Sequence, residues 1–452
     1  MVDDNKKDTL LDKLNSELQS NFSLVKIKHF CEVKDGTHDT PSYVIPSKDS
    51  FPLVTSKNIV NGELDFSSSN HISEADYIQI NRRSNVEKYD VLMPMIGTIG
   101  NPAIVYTNKK FSIKNIALFK MNGNKEKSEF LKYLIESDLI QKQFNLLNRG
   151  GVQSFVSLNI LKNLYIINDD FYKSIVFFLN KKTSEIDALI ADKEKLIKLL
   201  EEKRQTIITE AVTKGLVPDV KMKDSGVEWI GDIPEHWNKK KIKYTTYVKG
   251  RIGWQGLKSD EFIDQGPYLV TGTDFKDGRV HWDSCHHISE ERYEEAKPIQ
   301  LQENDLLITK DGTIGKVVLV KNKPEKAILN SGIFVTRSLK GEYINEYMYW
   351  ILLSDIFKNY VNYMGTGSTI KHLYQETFIN FSYPMPSIQE QKEINQFLQE
   401  YINELNSLVK KVYTQISKLK EYRQAIIYEV VTGKIDVRAM VEETEQEEVS
   451  SS

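Results

Sequence analysis

The chain repeats itself at a fixed distance, and that constrains its fold more than any single motif does. Asp90-Val91-Leu92 and Gly97-Thr98-Ile99-Gly100 recur as Asp305-Leu306-Leu307 and Gly312-Thr313-Ile314-Gly315, every position displaced by 215 residues. The same displacement carries Asn115 to Asn330, Phe119 to Phe334, Gly150 to Gly365 and Leu158 to Leu373. His71-Ile72-Ser73-Glu74 returns as His287-Ile288-Ser289-Glu290, displaced by 216. Six matches displaced by 215 and one by 216 imply an ancestral duplication. Two copies are too few for a solenoid, in which each repeat buries its apolar face against neighbours on both sides. Two separate globules are expected instead.

Each copy is followed by a charged segment with helical periodicity. In the second, Leu405, Val409, Val412, Ile416, Leu419, Arg423, Ile426 and Val430 follow an alternating spacing of four and three that keeps them on one stripe of a helix. The first segment places Ile186, Ile190, Lys193, Ile197, Leu200, Arg204, Ile207 and Ala211 at equivalent positions, so Arg204-Gln205 matches Arg423-Gln424. About 30 residues at roughly 1.5 Å each predict rods of about 45 Å. Their other faces carry Lys193-Glu194-Lys195 and Glu201-Glu202-Lys203, so they do not suit the inside of a globule. The expected helix-pairing residues are Ile186, Ile190, Ile197, Leu200 and Ile207 on one side and Leu405, Val409, Val412, Ile416, Leu419 and Ile426 on the other. The helices should run antiparallel, because one takes the chain away from the first module and the other brings it back.

The predicted fold class is α+β: two globular mixed α/β modules related as a pseudo-twofold repeat, joined by two long helices in an antiparallel coiled coil. The expected division is an N-terminal extension (1–23), first module (24–170), central helical spacer (171–216), linker (217–240), second module (241–386), C-terminal helical spacer (387–437) and acidic tail (438–452). Helical stretches are expected from Glu129 to Phe144 and from Ile344 to Val361. With 40% apolar residues there is material for two cores.

Charge and motifs narrow the function. The formal net charge is −3, but the final twelve residues hold five glutamates and no basic residue; without them the chain stands at +2. Near-neutrality argues against tight binding through phosphates alone and leaves room for local basic faces such as Arg82-Arg83 and Lys109-Lys110. No segment is apolar enough to span a bilayer, and the polar start, Met1 to Lys7, lacks a signal-peptide core, so a cytoplasmic protein without membrane contact is expected. Cys31 and Cys285 do not correspond under the repeat and are not expected to be bridged.

The glycine pairs Gly97/Gly100 and Gly312/Gly315 lie between strands, not before a helix, which excludes a phosphate-binding loop despite the following Lys316. A tight strand turn, lying close to another backbone, is the reading they favour. His281, Cys285, His286 and His287 resemble a metal cluster, but the first copy keeps only His71, so no metal is expected. Pro218-Asp219 with Lys221 and Lys223 lacks the second acid of a nuclease site, Asn101-Pro102-Ala103 is not an amino-methyltransferase tetrad, and hydrolase elbows and dinucleotide fingerprints are missing. No catalytic residue is assigned. Trp229 and Trp237 are read as linker packing.

Three stretches carry a family resemblance. They are Thr183 to Ile190, Glu202 to Leu216, and Asp224-Ser225-Gly226-Val227-Glu228-Trp229-Ile230-Gly231-Asp232-Ile233-Pro234-Glu235-His236-Trp237. Together they look like the central region of type I restriction-modification specificity subunits. Asp35-Gly36-Thr37-His38-Asp39-Thr40-Pro41 resembles an opening loop of some target-recognition domains in that family, and Pro386-Ser387-Ile388-Gln389-Glu390-Gln391 resembles the start of their second helical region. Two departures stand out. The first module leads into its helix through Asn168 to Tyr172 without a Gln-Glu-Gln signature, and no Pro-Glu-His-Trp precedes it.

The resemblance implies a non-catalytic subunit that reads an asymmetric, bipartite target in double-stranded DNA, one half-site per module. It also implies two methyltransferase subunits as partners, joined by two restriction/translocase subunits in a full complex. The chain itself would then hold no cofactor, and S-adenosylmethionine, ATP and Mg²⁺ would belong to the partners. Candidate DNA contacts are polar side chains near the shared turns. In the first module these are Lys34, Thr37, His38, Asp39, Arg149, Gln153 and Ser154; in the second, Arg251, Gln255, Lys258, Lys310, Asp311, Thr366, Ser368 and Lys371. The rival reading is an adaptor that holds two copies of a protein partner without touching DNA.

Overall fold

The computed structural model describes residues 23–97, 99–147, 155–168, 171–251, 257–364 and 372–438. It divides into two compact units: residues 1–193 with 414–452, and residues 194–413. Each unit holds one module and parts of both long helices.

The two modules share a topology strand for strand. In the first, the central antiparallel sheet runs Glu32–Asp35, Ile116–Lys120, Val91–Pro94, Ala103–Ile104. In the second it runs Thr246–Gly250, Ile333–Ser338, Leu306–Thr309, Val317–Leu319, and then adds Arg279–Val280 and Phe275–Lys276. Each module also has a three-stranded sheet with one antiparallel and one parallel pairing. Ser50–Val54 lies between Asn70–Ser73 and Ser112–Ile113; Ile263–Val270 lies between His286–His287 and Ala327–Leu329. Val91, Leu92 and Met93 are fully buried, as are Leu306, Leu307 and Ile308, which accounts for their unbroken apolar runs.

Both modules are locked by a buried aspartate at the first position of the repeated motif. Asp90 accepts from the backbone N–H of Glu87 and Met121 and from Lys120 Nζ at 2.6 Å. Asp305 accepts from the Gln302 N–H and from Arg337 Nε at 2.6 Å. A charge buried this deeply is tolerated only when paired and hydrogen-bonded.

The predicted single helical stretches are each two helices. Lys125–Glu136 and Asp138–Leu147 meet at Ser137, and Asn345–Leu353 and Asp355–Met364 meet at Ser354. Both serines take an extended conformation and turn their hydroxyls back onto carbonyls of the preceding turn, Leu134 and Ile351. A serine that satisfies a helix end in this way competes with helix continuation.

The long helices span Tyr172–Lys214 and Ile388–Val431, 43 and 44 residues. At roughly 1.5 Å per residue each is about 65 Å long, which corrects the expected 45 Å. The additional N-terminal turns bury Ile175, Val176 and Leu179 in one unit and Ile394, Leu398 and Ile402 in the other, so the apolar stripe begins well before Ile186 and Leu405. Both helices stop at a left-handed glycine, Gly215 (φ 77) and Gly433 (φ 72).

Within the first unit, Arg423 Nε donates to Asp187 Oδ1 at 2.9 Å and Lys193 Nζ to Gln415 Oε1 at 2.7 Å, so residue numbers rise on one helix as they fall on the other. The helices therefore pair antiparallel. In the second unit, Leu200 and Leu405 share one core cluster and Lys203 Nζ lies 5.9 Å from the Tyr401 ring centroid. Of the expected pairing residues, Ile186, Ile190, Ile197, Leu200, Leu405, Val412, Ile416 and Ile426 are buried, and Ile207, Val409 and Leu419 are half-buried.

In the second unit the linker seals the start of the second long helix. Glu390 Oε1 accepts from Trp237 Nε1 at 2.9 Å and meets His236 Nε2 at 2.8 Å, while its Oε2 accepts from Ser387. Trp229 Nε1 donates to the Ser382 carbonyl at 3.2 Å. Burial opposes the Glu390 charge, but the bonds from His236, Trp237 and Ser387 prevail and pull its carboxyl down to about 2.

Candidate nucleic-acid interface

In the first module, four of the candidate residues gather at the end of the strand Glu32–Asp35. A Cβ on Gly36 would lie 2.1 Å from the Ile113 carbonyl oxygen, so only glycine permits the close backbone approach there. That approach sets the next residue: Thr37 N–H donates to Ile113 O at 3.0 Å, and its carbonyl accepts from Asn115 N–H at 3.1 Å.

His38 then falls between two oxygens, with Nε2 3.0 Å from Asp35 Oδ2 and Nδ1 2.9 Å from Asn115 Oδ1. A ring protonated on both nitrogens satisfies both, and the bonds to Asn115 and Asp35 raise its pKa above the ordinary histidine value. The buried Asp35 also accepts from the exposed guanidinium of Arg83. Lys34 pairs with Glu32 at 3.1 Å, and Asp39 is exposed.

Arg83 stands between two hollows. One, of about 500 Å³, is lined by Lys28, Lys34, Asp35, Lys162 and Leu158 among others; the second, of about 200 Å³, by Thr37, His38, Asp39 and Gln79. The sequence reading missed Lys28, Asp35, Asn115 and Lys162 and used Arg83 only as part of a basic pair. Asn115 adopts a left-handed conformation (φ 53), and its carbonyl accepts from Met95 N–H as that of Gly332 does from Lys310 N–H, so the structure sets Gly332 in its place and corrects the expected match at Asn330.

The shared glycine turns sit beside these groups in both modules. Gly97 and Gly100 have φ of 82 and 83, Gly312 and Gly315 of 69 and 81. A Cβ on Gly97 or Gly312 would meet open space, so these glycines answer to backbone conformation, not to a close backbone approach as expected. Each turn is tied to the segment ahead of a short helix. Ile96 bridges Phe155, with Val156 N–H donating to Met95 O at 3.0 Å; Asp311 bridges His372, with Leu373 N–H donating to Lys310 O at 2.8 Å.

The second module presents different chemistry at equivalent positions. Asp311 pairs with His372 Nδ1, and Lys310 is half-buried with its Nζ 5.1 Å from the Phe334 ring centroid. Lys258 is exposed, its backbone N–H held by Glu261. Arg251 differs from the other described candidates in being only 3% exposed, with Nε donating to the Leu329 carbonyl at 3.1 Å. Burial, and then the nearby Arg292, lower its pKa. Arg149, Gln153, Ser154, Gln255, Thr366, Ser368 and Lys371 lie outside the described residues.

Among the described residues no group of three or more His, Cys, Asp or Glu is placed to hold a metal ion. His286 stacks on Phe262 at 4.4 Å, His287 Nδ1 meets the Gly266 carbonyl at 2.7 Å, and burial raises the Cys285 thiol above its ordinary value. Among the described residues no helix is long and apolar enough to cross a membrane.

Residues 234–418 match the family model for the type I restriction modification DNA specificity domain. The MjaVIII specificity subunit of Methanocaldococcus jannaschii is 25% identical over 57% of this chain and 59% of its own length. The EcoBI specificity subunit of Escherichia coli is 23% identical over 58% of this chain and 56% of its own length, so the chain spans less than two thirds of either relative. A chain solved in a study of complex assembly and conformational transition of the type I R-M system superposes with a TM-score of 0.68 at 16% identity, covering 92% of this chain and 99% of that one. Each match is a likeness to a type I restriction-modification specificity subunit, and the family model covers only residues 234–418 of the chain.

Proposed function

We propose that the chain is the non-catalytic, DNA-reading subunit of a cytoplasmic type I restriction-modification complex, and that its two modules read the two halves of an asymmetric target. One observation carries this reading. The same backbone frame is built twice, yet its opening loop holds Asp35-Gly36 in one module and Gly250-Arg251 in the other. A duplicated frame with divergent loop chemistry suits two different half-sites, because sequence is read by side chains at base edges while backbone contacts fix register.

The open hollow with Lys28, Lys34, Arg83 and Lys162 offers cations for phosphates near the first module's loop. The long helices would set the spacer between the half-sites and receive two methyltransferase subunits, with two restriction subunits completing the complex. S-adenosylmethionine, ATP and Mg²⁺ would sit on those partners.

Mapping methylated bases in cells with and without the gene tests the proposal. A split motif with two unlike halves, present only with the gene, is expected. Methylation unchanged by deletion would overturn it and favour the adaptor that holds two protein partners without DNA.

A further inference from the structure

The matched dipeptides Arg204-Gln205 and Arg423-Gln424 make matched contacts, each on the module that the other long helix follows. Gln424 Nε2 donates to the Glu136 carbonyl, the last of the helix before the Ser137 break, and Gln205 Nε2 donates to the Leu353 carbonyl at 2.9 Å, the last before Ser354. The carbonyls at a helix C-terminus have no partner within the helix, so a side-chain amide directed at them fixes that end in place. On the other side of the second break, Asp355 N–H donates to Thr209 Oγ1 at 3.0 Å, one turn on from Gln205. At the first break, Arg423 reaches the Glu136 carboxylate at 3.8 Å and Asp187 at 2.9 Å.

Beyond the breaks the chain continues as the helices Asp138–Leu147 and Asp355–Met364. We infer that Gln205 and Gln424 are positioning residues: each clasps one module's helical elbow to a long helix and thereby holds that module in register with the helical spacer. They act through the module that they hold. The inference rests on the reading of a split target proposed above.

The test uses the chain assembled with its methyltransferase subunits, acting on duplexes that carry the mapped target, the same target with the spacer longer or shorter by one base pair, and the target with single base changes in each half. Wild type provides the control for the proposed function: if it shows no dependence on a split motif, that reading fails, whatever the variants do. If it does, Gln205→Ala and Gln424→Ala should each raise methylation of the shifted-spacer duplexes relative to the cognate about tenfold. Discrimination between bases within each half should stay unchanged. Gln205→Met and Gln424→Met, which keep length and lose the donor, should behave alike. A preserved spacer ratio, whether at full activity or alongside a uniform fall in activity and Tm, would overturn the inference. So would failure of both the Ala and Met variants to assemble, since that would make the glutamines stability residues only.

Discussion

The first and second modules solve one structural problem with different residues, and the comparison separates what the frame requires from what it leaves free. The buried aspartate at the start of the repeated motif is kept, but its cation is Lys120 in one module and Arg337 in the other. The starts of the long helices differ more. Glu390 draws Trp237 and His236 onto one; at the matched place on the other stand Phe171 and Tyr172, and the Arg438 guanidinium lies 4.9 Å from the Phe171 ring centroid. Within each unit, residues that follow one long helix cover the start of the other. Position is preserved while the chemistry that holds it is exchanged, an ionic and indole clamp in one case and a cation over an aromatic face in the other.

If the aspartates do the same work, Asp90→Ala and Asp305→Ala should be the most damaging changes and about equal. Each would remove the buried carboxylate from its cation, leaving Lys120 with Glu87 and Arg337 with the Gln300 carbonyl, at a cost of about 3 kcal/mol. Chemical denaturation of the two variants measures this, and a difference of more than about 2 kcal/mol would break the equivalence.

The clamp, by contrast, should matter to one unit only. Glu390→Ala strands the buried Trp237 N–H and should cost about 2 kcal/mol. Hydrogen exchange should quicken in residues 217–240 and at the start of the helix Ile388–Val431, and not around Phe171. The carboxyl is held at about 2 in the fold against an ordinary 4.5. Its contribution is therefore complete above 4.5 and is lost as pH falls from there towards 2. Glu390→Gln should flatten that part of the stability–pH profile, and an unaltered acid limb would remove the charge from the account.

The smallest predicted effect contrasts two arginines. Arg83→Ala should weaken DNA binding by the assembled complex about tenfold and reduce its salt dependence by about one counterion, with a small fall in Tm because the buried Asp35 is left with His38. Arg251→Ala should lower Tm and leave the salt dependence as it was. The reverse pattern would exchange their roles.

The repeat register, the antiparallel helices and the buried stripe were legible because they rest on periodicity, which a sequence displays directly. The helix lengths were underestimated because Ile175, Leu179, Ile394 and Leu398 are buried alongside core residues of their own units, and the stripe was followed only from Ile186 and Leu405. The breaks at Ser137 and Ser354 were invisible, since one hydroxyl bonded to a carbonyl of its own helix leaves apolar periodicity intact on both sides. In the first module's opening loop, Thr37 and His38 became candidates through their motif. Asp35 and Asn115 escaped because what matters is their meeting at His38, and that is set by the close approach of Gly36 to Ile113, a contact between residues 77 apart. The burial of Arg251 escaped for the matching reason: a charged residue beside a glycine reads as surface until its guanidinium is found on the Leu329 carbonyl.

Both modules begin and end on paired strands, Ser23–Lys26 against Tyr165–Asn168 and Asn238–Lys241 against Ser382–Met385. Entrance and exit are thus zipped together, and everything between them is a closed excursion from the helices. A gene segment encoding such an excursion can be lost, mutated at high rate or replaced by recombination, and the ends of the newcomer will still meet as the old ones did. Under the proposed function, that zipper would let heredity treat half of a binding specificity as a cartridge.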